Sequence, residues 1–180
     1  LKDIQKGERQ PEPHFQAKII QALAELPQPV VACIRGHCYT GGLELALAAD
    51  IIIAARSAKF GDTHSKWGLS PLWGMTQRLP RRVGLSKAKQ MMFTSDIFAA
   101  EVAERMGLVD MCVDDAELEQ ATNDLAQRIA VNSTYSNQVN KVLLGATDGM
   151  TIQAGLAYEL AHSPGACFDA RERVALFGKK

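Results

Sequence analysis

Three observations predict an α/β fold for this chain. Val30 to Ile34 and Ile51 to Ala55 are apolar runs of strand length, a glycine-broken helical stretch lies between them, and the last third is helical in pattern. With 180 residues, of which 47% are apolar or aromatic, the chain can bury roughly 70% of the surface its unfolded form exposes. It needs no disulfide or structural metal to hold a core.

Each element has its own signal. Phe15, Ile19, Ile20, Leu23 and Leu26 recur at three- and four-residue steps, a helix that Pro27 and Pro29 end. Val30 to Ile34 is β-branched and apolar on both faces, as a strand of a parallel sheet requires. Gly36 and then Gly41-Gly42 break it, Leu43 to Ala49 is rich in helix formers, and Asp50 leads into the second strand, Ile51 to Ala55. Beyond Phe60, GDTHSKWGLSPLWG holds three glycines and one proline, too irregular for a helix and too long for an idle connection. Loops of this kind carry function.

Helical periodicity returns from Met75 to Val83, interrupted at Pro80, then from Ser86 to Phe93 and from Ala99 to Met106, where Gly107 stops it. Leu108 to Val113 is a last short strand. The segments 115–130, 134–145, 151–161 and 167–177 are helical and are separated by Asn132-Ser133, Gly145 through Gly149, and Pro164-Gly165. No repeat or heptad array runs through the chain.

Charge narrows the function classes. Lys and Arg total 20 and Asp and Glu total 20, so the net charge is zero and neither a nucleic acid nor an anionic membrane is an expected partner. Leu43 to Ala55 carries Glu44 and Asp50 and is too short to span a bilayer. Cys33, Cys38, Cys112 and Cys167 form no C-x-x-C pair and read as reduced, mostly core thiols of a reducing compartment.

Glu44 is the anomaly. Its helix otherwise consists of Leu43, Leu45, Ala46, Leu47, Ala48 and Ala49, so its carboxylate enters or borders an apolar interior, where an unpaired charge costs several kcal/mol. Two readings stand: a first-turn acid facing solvent near the helix dipole, or a poised base or nucleophile. Gly41-Gly42 allows close approach of the backbone to a ligand, with N–H groups at the helix start available as donors. Donors beside one carboxylate describe an oxyanion site, although a glycine pair alone is more often a turn.

His64, between Thr63 and Ser65 in the irregular loop, is either a surface residue or an acid–base group. His14, His37 and His162 are isolated and carry no assigned chemistry. Trp67 and Trp73 flank turns and are expected to cover the core, with a pocket wall as the alternative. Arg78, Arg81 and Arg82 read as a solvated helix face.

The stretch PVVACIRGHCYTGGLELALAADIIIAARSAKFGDT and its continuation WGLSPLWGMTQRLPRRVGLSKAKQMMFTSDIFAAEVAERMGLVDMCV strongly resemble the crotonase superfamily of enoyl-CoA hydratases and isomerases, over residues 29–113. The resemblance rests on the G-x-x-x-x-G-G-x-E-L-A block, the A-D-I-I-I-A-A strand, the F-G turn, the G-x-x-P-x-x-G-x-x-Q-R-L segment and the A-x-x-A-x-x-x-G-L-V ending. It implies the crotonase-type spiral of stacked strand-strand-helix units, here as residues 1–113, and a helical trimerisation region over residues 114–180. Compared with the family, the chain looks trimmed at both ends, more severely at its N-terminus.

The same resemblance makes Gly41 one of two backbone donors to the thioester oxygen of an acyl-CoA and Glu44 a catalytic carboxylate. The first donor is expected upstream of Leu1, and Lys2 is a candidate CoA contact. Typical hydratases carry a second glutamate where this chain has His64. Three outcomes follow: His64 supplies the proton, Glu44 works alone as in double-bond isomerases, or the site binds acyl-CoA without efficient hydration. The expected activity is hydration of a 2-enoyl-CoA by a lyase that needs no cofactor beyond the CoA of its substrate. The expected assembly is a homotrimer or a dimer of trimers, and the expected compartment is the cytoplasm, or the mitochondrial matrix in a eukaryote.

Overall fold

The computed structural model describes residues 11–177, which divide into two units, residues 11–25 with 30–121 and residues 26–29 with 122–177. The first unit opens with helix α1 (Phe15–Ala24), whose Ile20 is buried. Strands β1 (Val31–Ile34) and β2 (His37–Tyr39) follow, then helix α2 (Gly41–Ala46), strand β3 (Ile51–Ala55) and strand β4 (Lys59–Gly61). A 3-10 turn at Ser65–Trp67 precedes helices α3 (Met75–Val83) and α4 (Leu85–Thr94). Strand β5 (Phe98–Ala99), helix α5 (Ala100–Arg105), strand β6 (Met111–Val113) and the start of helix α6 (Leu118–Ala130) complete it.

The strands form two three-stranded sheets, ordered β1-β3-β6 and β2-β4-β5. The first is parallel throughout, with Val31 opposite Ile51 and Ile53 opposite Met111. In the second, β2 and β4 run parallel and β4 and β5 antiparallel. Because β1 and β3 are parallel neighbours, the chain must travel back between them, and β2 with α2 makes that return. This is a strand-strand-helix unit of the expected spiral. Ile52 to Ala55 are buried on both sheet faces, which explains why four consecutive apolar residues are tolerated there.

Several elements depart from the periodicity reading. Strands β2, β4 and β5 were not anticipated, because each has two or three residues and some carry polar side chains. The glycine pair lies inside α2 rather than before it, so Glu44 is its fourth residue and the regular helix ends at Ala46. Pro80 does not interrupt α3. A proline that far along removes one i→i−4 bond without stopping the helix.

The core of this unit gathers Leu43, Ala46 and Leu47 of the α2 region with Ile52, Ala54, Phe60, Met75, Leu79, Met91 and Leu108. Phe60 is fully buried in the middle strand of the second sheet, and Phe60→Ala is expected to destabilise the fold by about 3–5 kcal/mol in denaturant titrations. A loss under about 1 kcal/mol would show that the site collapses around the smaller side chain.

All four cysteines are free, but only Cys38 is buried; Cys33 is exposed, and Cys112 and Cys167 are intermediate. Cys33 and Cys112 lie on β1 and β6, the two edge strands of the first sheet, and Cys167 lies in the second unit, which corrects the expectation of mostly core thiols. Burial pushes the Cys38 thiol up to about 12. The folded chain therefore keeps a proton that an unfolded thiol releases from about pH 9 upward, so this contribution is complete below about pH 9 and is lost toward pH 12. Unfolding free energy is expected to fall with a slope of about 1.4 kcal/mol per pH unit in that window from this group alone, and Cys38→Ala to reduce the slope.

The second unit holds most of α6 together with helices α7 (Thr134–Thr147), α8 (Ile152–His162) and α9 (Ala170–Ala175). Ser133 caps α7 by accepting the Ser136 N–H and donates at 2.6 Å to Asp169, which also pairs with Arg173 at 2.5 Å. These bonds hold the Asp169 carboxyl below its ordinary range, the Ser133 hydroxyl foremost. Among the described residues no helix is long and apolar enough to cross a membrane.

Candidate active site

Glu44 is 2% exposed. Its Oε1 accepts the N–H of Trp73 at 2.8 Å and of Met75 at 3.2 Å, at the entrance to α3. Gly74 lies between these two donors with φ of 112°, a left-handed turn that lets both flanking N–H groups reach one oxygen. A β-carbon there would also meet the Arg78 guanidinium. Glu44 is thus held by backbone that arrives from about thirty residues away, and a solvent-facing role for it is excluded by its burial.

The second carboxylate oxygen faces histidine. His64 is 7% exposed, and its Nε2 lies 3.8 Å from Glu44 Oε2. Its Nδ1 lies 2.5 Å from Oδ1 of Asp62, which is itself fully buried. The backbone N–H of His64 donates to that same Oδ1 at 3.2 Å. The His64 carbonyl accepts the N–H groups of Trp67 and Leu69, both at 3.0 Å, and Ser65 Oγ donates to the Met92 carbonyl at 2.7 Å. These bonds give the irregular loop a fixed course and remove His64 from the surface.

The start of α2 is tied to the same loop. Thr40 has φ 52° and ψ −114°, a conformation that costs a β-branched residue about 1–3 kcal/mol. Its hydroxyl lies 2.5 Å from the Thr63 hydroxyl and accepts the Thr63 N–H at 3.3 Å, and its own N–H donates to the Gly61 carbonyl at 3.0 Å. The first α-helical bond of α2 is Glu44 N–H to Thr40 carbonyl at 2.9 Å, so the amides of Gly41, Gly42 and Leu43 have no carbonyl of their own helix to meet. A β-carbon on Gly41 would lie 2.5 Å from the Trp73 ring, which therefore packs directly on this glycine.

Arg78 adds a positive charge nearby. It donates to the Trp73 carbonyl at 2.8 Å and to Gln21 at 2.6 Å. Burial lowers its pKa from the ordinary guanidinium value, and the Glu44 charge offsets part of that effect. Arg82 pairs with Asp110 at 2.9 Å and donates to the carbonyls of Ala49 and Asp50, so Arg78 and Arg82 serve the fold, whereas Arg81 is exposed as a solvated helix face requires. Trp67 is half-exposed and covers no core, whereas Trp73 borders the site. Lys2 lies outside the described residues. Among the described residues no group of three His, Cys, Asp or Glu is placed to hold a metal ion.

Of the residues singled out from sequence, the structure brings Glu44, Gly41 and His64 together. Sequence reasoning passed over Asp62, the Thr40–Thr63 pair and the two amides that hold Glu44. An Asp two residues before a loop His was the one signal available for the first of these.

The sequence model of the family described as Enoyl-CoA hydratase/isomerase matches residues 1–166. The chain belongs to this family. It is 35% identical over 167 residues to a crotonyl-CoA hydratase of Syntrophomonas wolfei, covering 91% of this chain and 64% of the relative. A short-chain-enoyl-CoA hydratase of Clostridium acetobutylicum is 34% identical over 156 residues, covering 87% of this chain and 59% of the relative. The chain thus spans roughly three fifths of the length of these curated relatives. The crystal structure of an enoyl-CoA hydratase from Bacillus anthracis superposes with a TM-score of 0.88 at 31% identity, covering 97% of this chain and 70% of that one. The crotonase-type fold expected from the motifs is the fold observed.

Proposed function

We propose that the protein hydrates the double bond of a 2-enoyl-CoA. The observation that carries this reading is the buried Glu44 carboxylate on the helix that Gly41 begins, with one oxygen held by two backbone amides and the other facing His64 Nε2 at 3.8 Å. In this mechanism the Gly41 N–H donates to the thioester oxygen as negative charge gathers there. Glu44 takes a proton from water as the water oxygen bonds to Cβ, and His64 delivers a proton to Cα. Because Oε1 is fixed, only Oε2 is available to the reacting water, which gives the attack one direction. The relatives named above as hydratases support the reaction class.

CoA is on this reading part of the substrate, and no further cofactor is proposed. The second unit exposes Leu144, Ile152 and Leu160 on its helices and Phe168 in the turn before α9, which supports the homotrimer or dimer of trimers implied by the motifs. Four free thiols suit a reducing compartment such as the cytoplasm or a mitochondrial matrix.

The test is to incubate the full-length protein with crotonyl-CoA in ¹⁸O-labelled water. Loss of the conjugated-enoyl absorbance with one label at Cβ is the expected result. A second reading, a double-bond isomerase, is favoured by the single glutamate at this site, and it predicts shifted unsaturation of a suitable enoyl-CoA with no label. Thioester binding with no turnover would identify a non-catalytic acyl-CoA-binding protein.

A further inference from the structure

Asp62 takes no part in the mechanism above, yet a fully buried carboxylate is expensive and is kept only where it is bonded. Its Oδ2 has no hydrogen-bond partner among the described residues, and its Oδ1 is committed to His64 twice, to the ring Nδ1 at 2.5 Å and to the backbone N–H at 3.2 Å. An acceptor that meets the backbone and the ring of one residue fixes both the position of that residue and the rotation of its imidazole. The opposite nitrogen then points at Glu44 Oε2.

We infer that Asp62 is a positioning residue that acts through His64, holding a proton on Nδ1 and aiming Nε2 at the space beside Glu44. The inference rests on the hydratase reading and deepens it. An ionised carboxylate can only accept, so Nδ1 is the donor to Asp62. A ring that is also protonated at Nε2 presents that N–H toward Glu44 Oε2 and toward a substrate placed beside both groups.

Protons balance over the cycle. Water loses a proton to Glu44 as its oxygen bonds to Cβ. The Nε2–H bond of His64 breaks as the new C–H bond forms at Cα. After the product leaves, the carboxylic proton of Glu44 passes back to His64 Nε2 across the 3.8 Å gap, directly or through one water, and both groups are restored. Nδ1 keeps its proton throughout, because Asp62 accepts it at every stage. Water and the enoyl-CoA are the only reactants the cycle consumes. The Thr40–Thr63 hydroxyl pair serves the same arrangement, since Thr63 lies between Asp62 and His64 and joins them to the residue before Gly41.

The test is a double-mutant cycle on the full-length protein with crotonyl-CoA. Asp62→Asn keeps the volume and an acceptor for the backbone N–H while removing the charge. It is expected to lower kcat at least about tenfold with KM within about twofold, and to have less than about a twofold further effect in a His64→Ala background. Equal losses in both backgrounds, or no loss in either, would overturn the inference. A second measurement needs neither a variant nor turnover: in wild-type protein labelled with ¹⁵N-histidine, the His64 Nδ1 resonance is expected to be that of a protonated nitrogen. An unprotonated Nδ1 would overturn the inference as well. Failure of wild-type hydration would instead count against the reaction assigned, and the nitrogen signal would still decide the role of Asp62.

Discussion

Glu44→Gln is expected to lower kcat for crotonyl-CoA hydration by about two to four orders of magnitude, the range that one general base contributes. The reason is chemical rather than structural. Glutamine keeps an acceptor oxygen for the Trp73 and Met75 amides, so the tie between α2 and the entrance to α3 survives. What is lost is the second oxygen, the one facing His64, which an amide replaces with a donor that cannot take a proton from water. Binding of a saturated acyl-CoA, read by calorimetry, is expected to remain within a few-fold of wild type. Turnover equal to wild type would remove Glu44 from the chemistry, whereas loss of both turnover and binding would show that the charge holds the pocket rather than the reaction.

Gly41→Ala is expected to cost about a hundred- to a thousandfold in kcat, as removal of one oxyanion donor does. A methyl group at this position would lie 2.5 Å from the Trp73 ring, so either the ring or the backbone of residue 41 must move. Either movement is felt in the site. Displacing Gly41 shifts its N–H from the thioester oxygen, and displacing Trp73 shifts the amide that holds Glu44 at 2.8 Å. Gly42→Ala is the internal control, since nothing lies within 4 Å of its added carbon. That variant is expected to keep turnover within about twofold and to gain up to about 1 kcal/mol of stability from the helix it sits in. Equal kinetic losses at both glycines would assign the effect to helix geometry rather than to the donor.

The contrast between these glycines marks how far the sequence could be read. As residue types they are identical, and only the Trp73 ring, thirty-two positions away, separates them. Strands β1 and β3 were legible because a strand buried on both faces writes itself as an uninterrupted apolar run. Strands β2, β4 and β5 were not, because two or three residues give no period to detect, and His37 and Lys59 interrupt any apolar signal.

The site divides along the same line. Glu44 announced itself as an acid among apolar neighbours, an argument that needs only local sequence. Its partners did not, because they are backbone amides at Trp73 and Met75, and any residue type could have supplied them. His64 was visible in an irregular loop, but that loop is ordered by its own carbonyls and by Ser65 on Met92, contacts that no spacing rule encodes. Asp62 escaped notice because two residues apart in a loop implies no shared face, in contrast to a strand or helix. The histidine that stands where typical hydratases carry a second glutamate left three outcomes open in sequence, and the structure adds that its two ring nitrogens face Glu44 and Asp62.

Gly41 and Glu44 are expected to act on opposite ends of one conjugated thioester. The most direct measurement is a crystal structure of the full-length protein with butyryl-CoA, a saturated thioester that cannot be hydrated. The expected result is a thioester oxygen within hydrogen-bond distance of the Gly41 N–H, with the acyl β-carbon beside Glu44 Oε2 and His64 Nε2. A thioester bound with its oxygen away from Gly41, or with its β-carbon remote from Glu44, would contradict it.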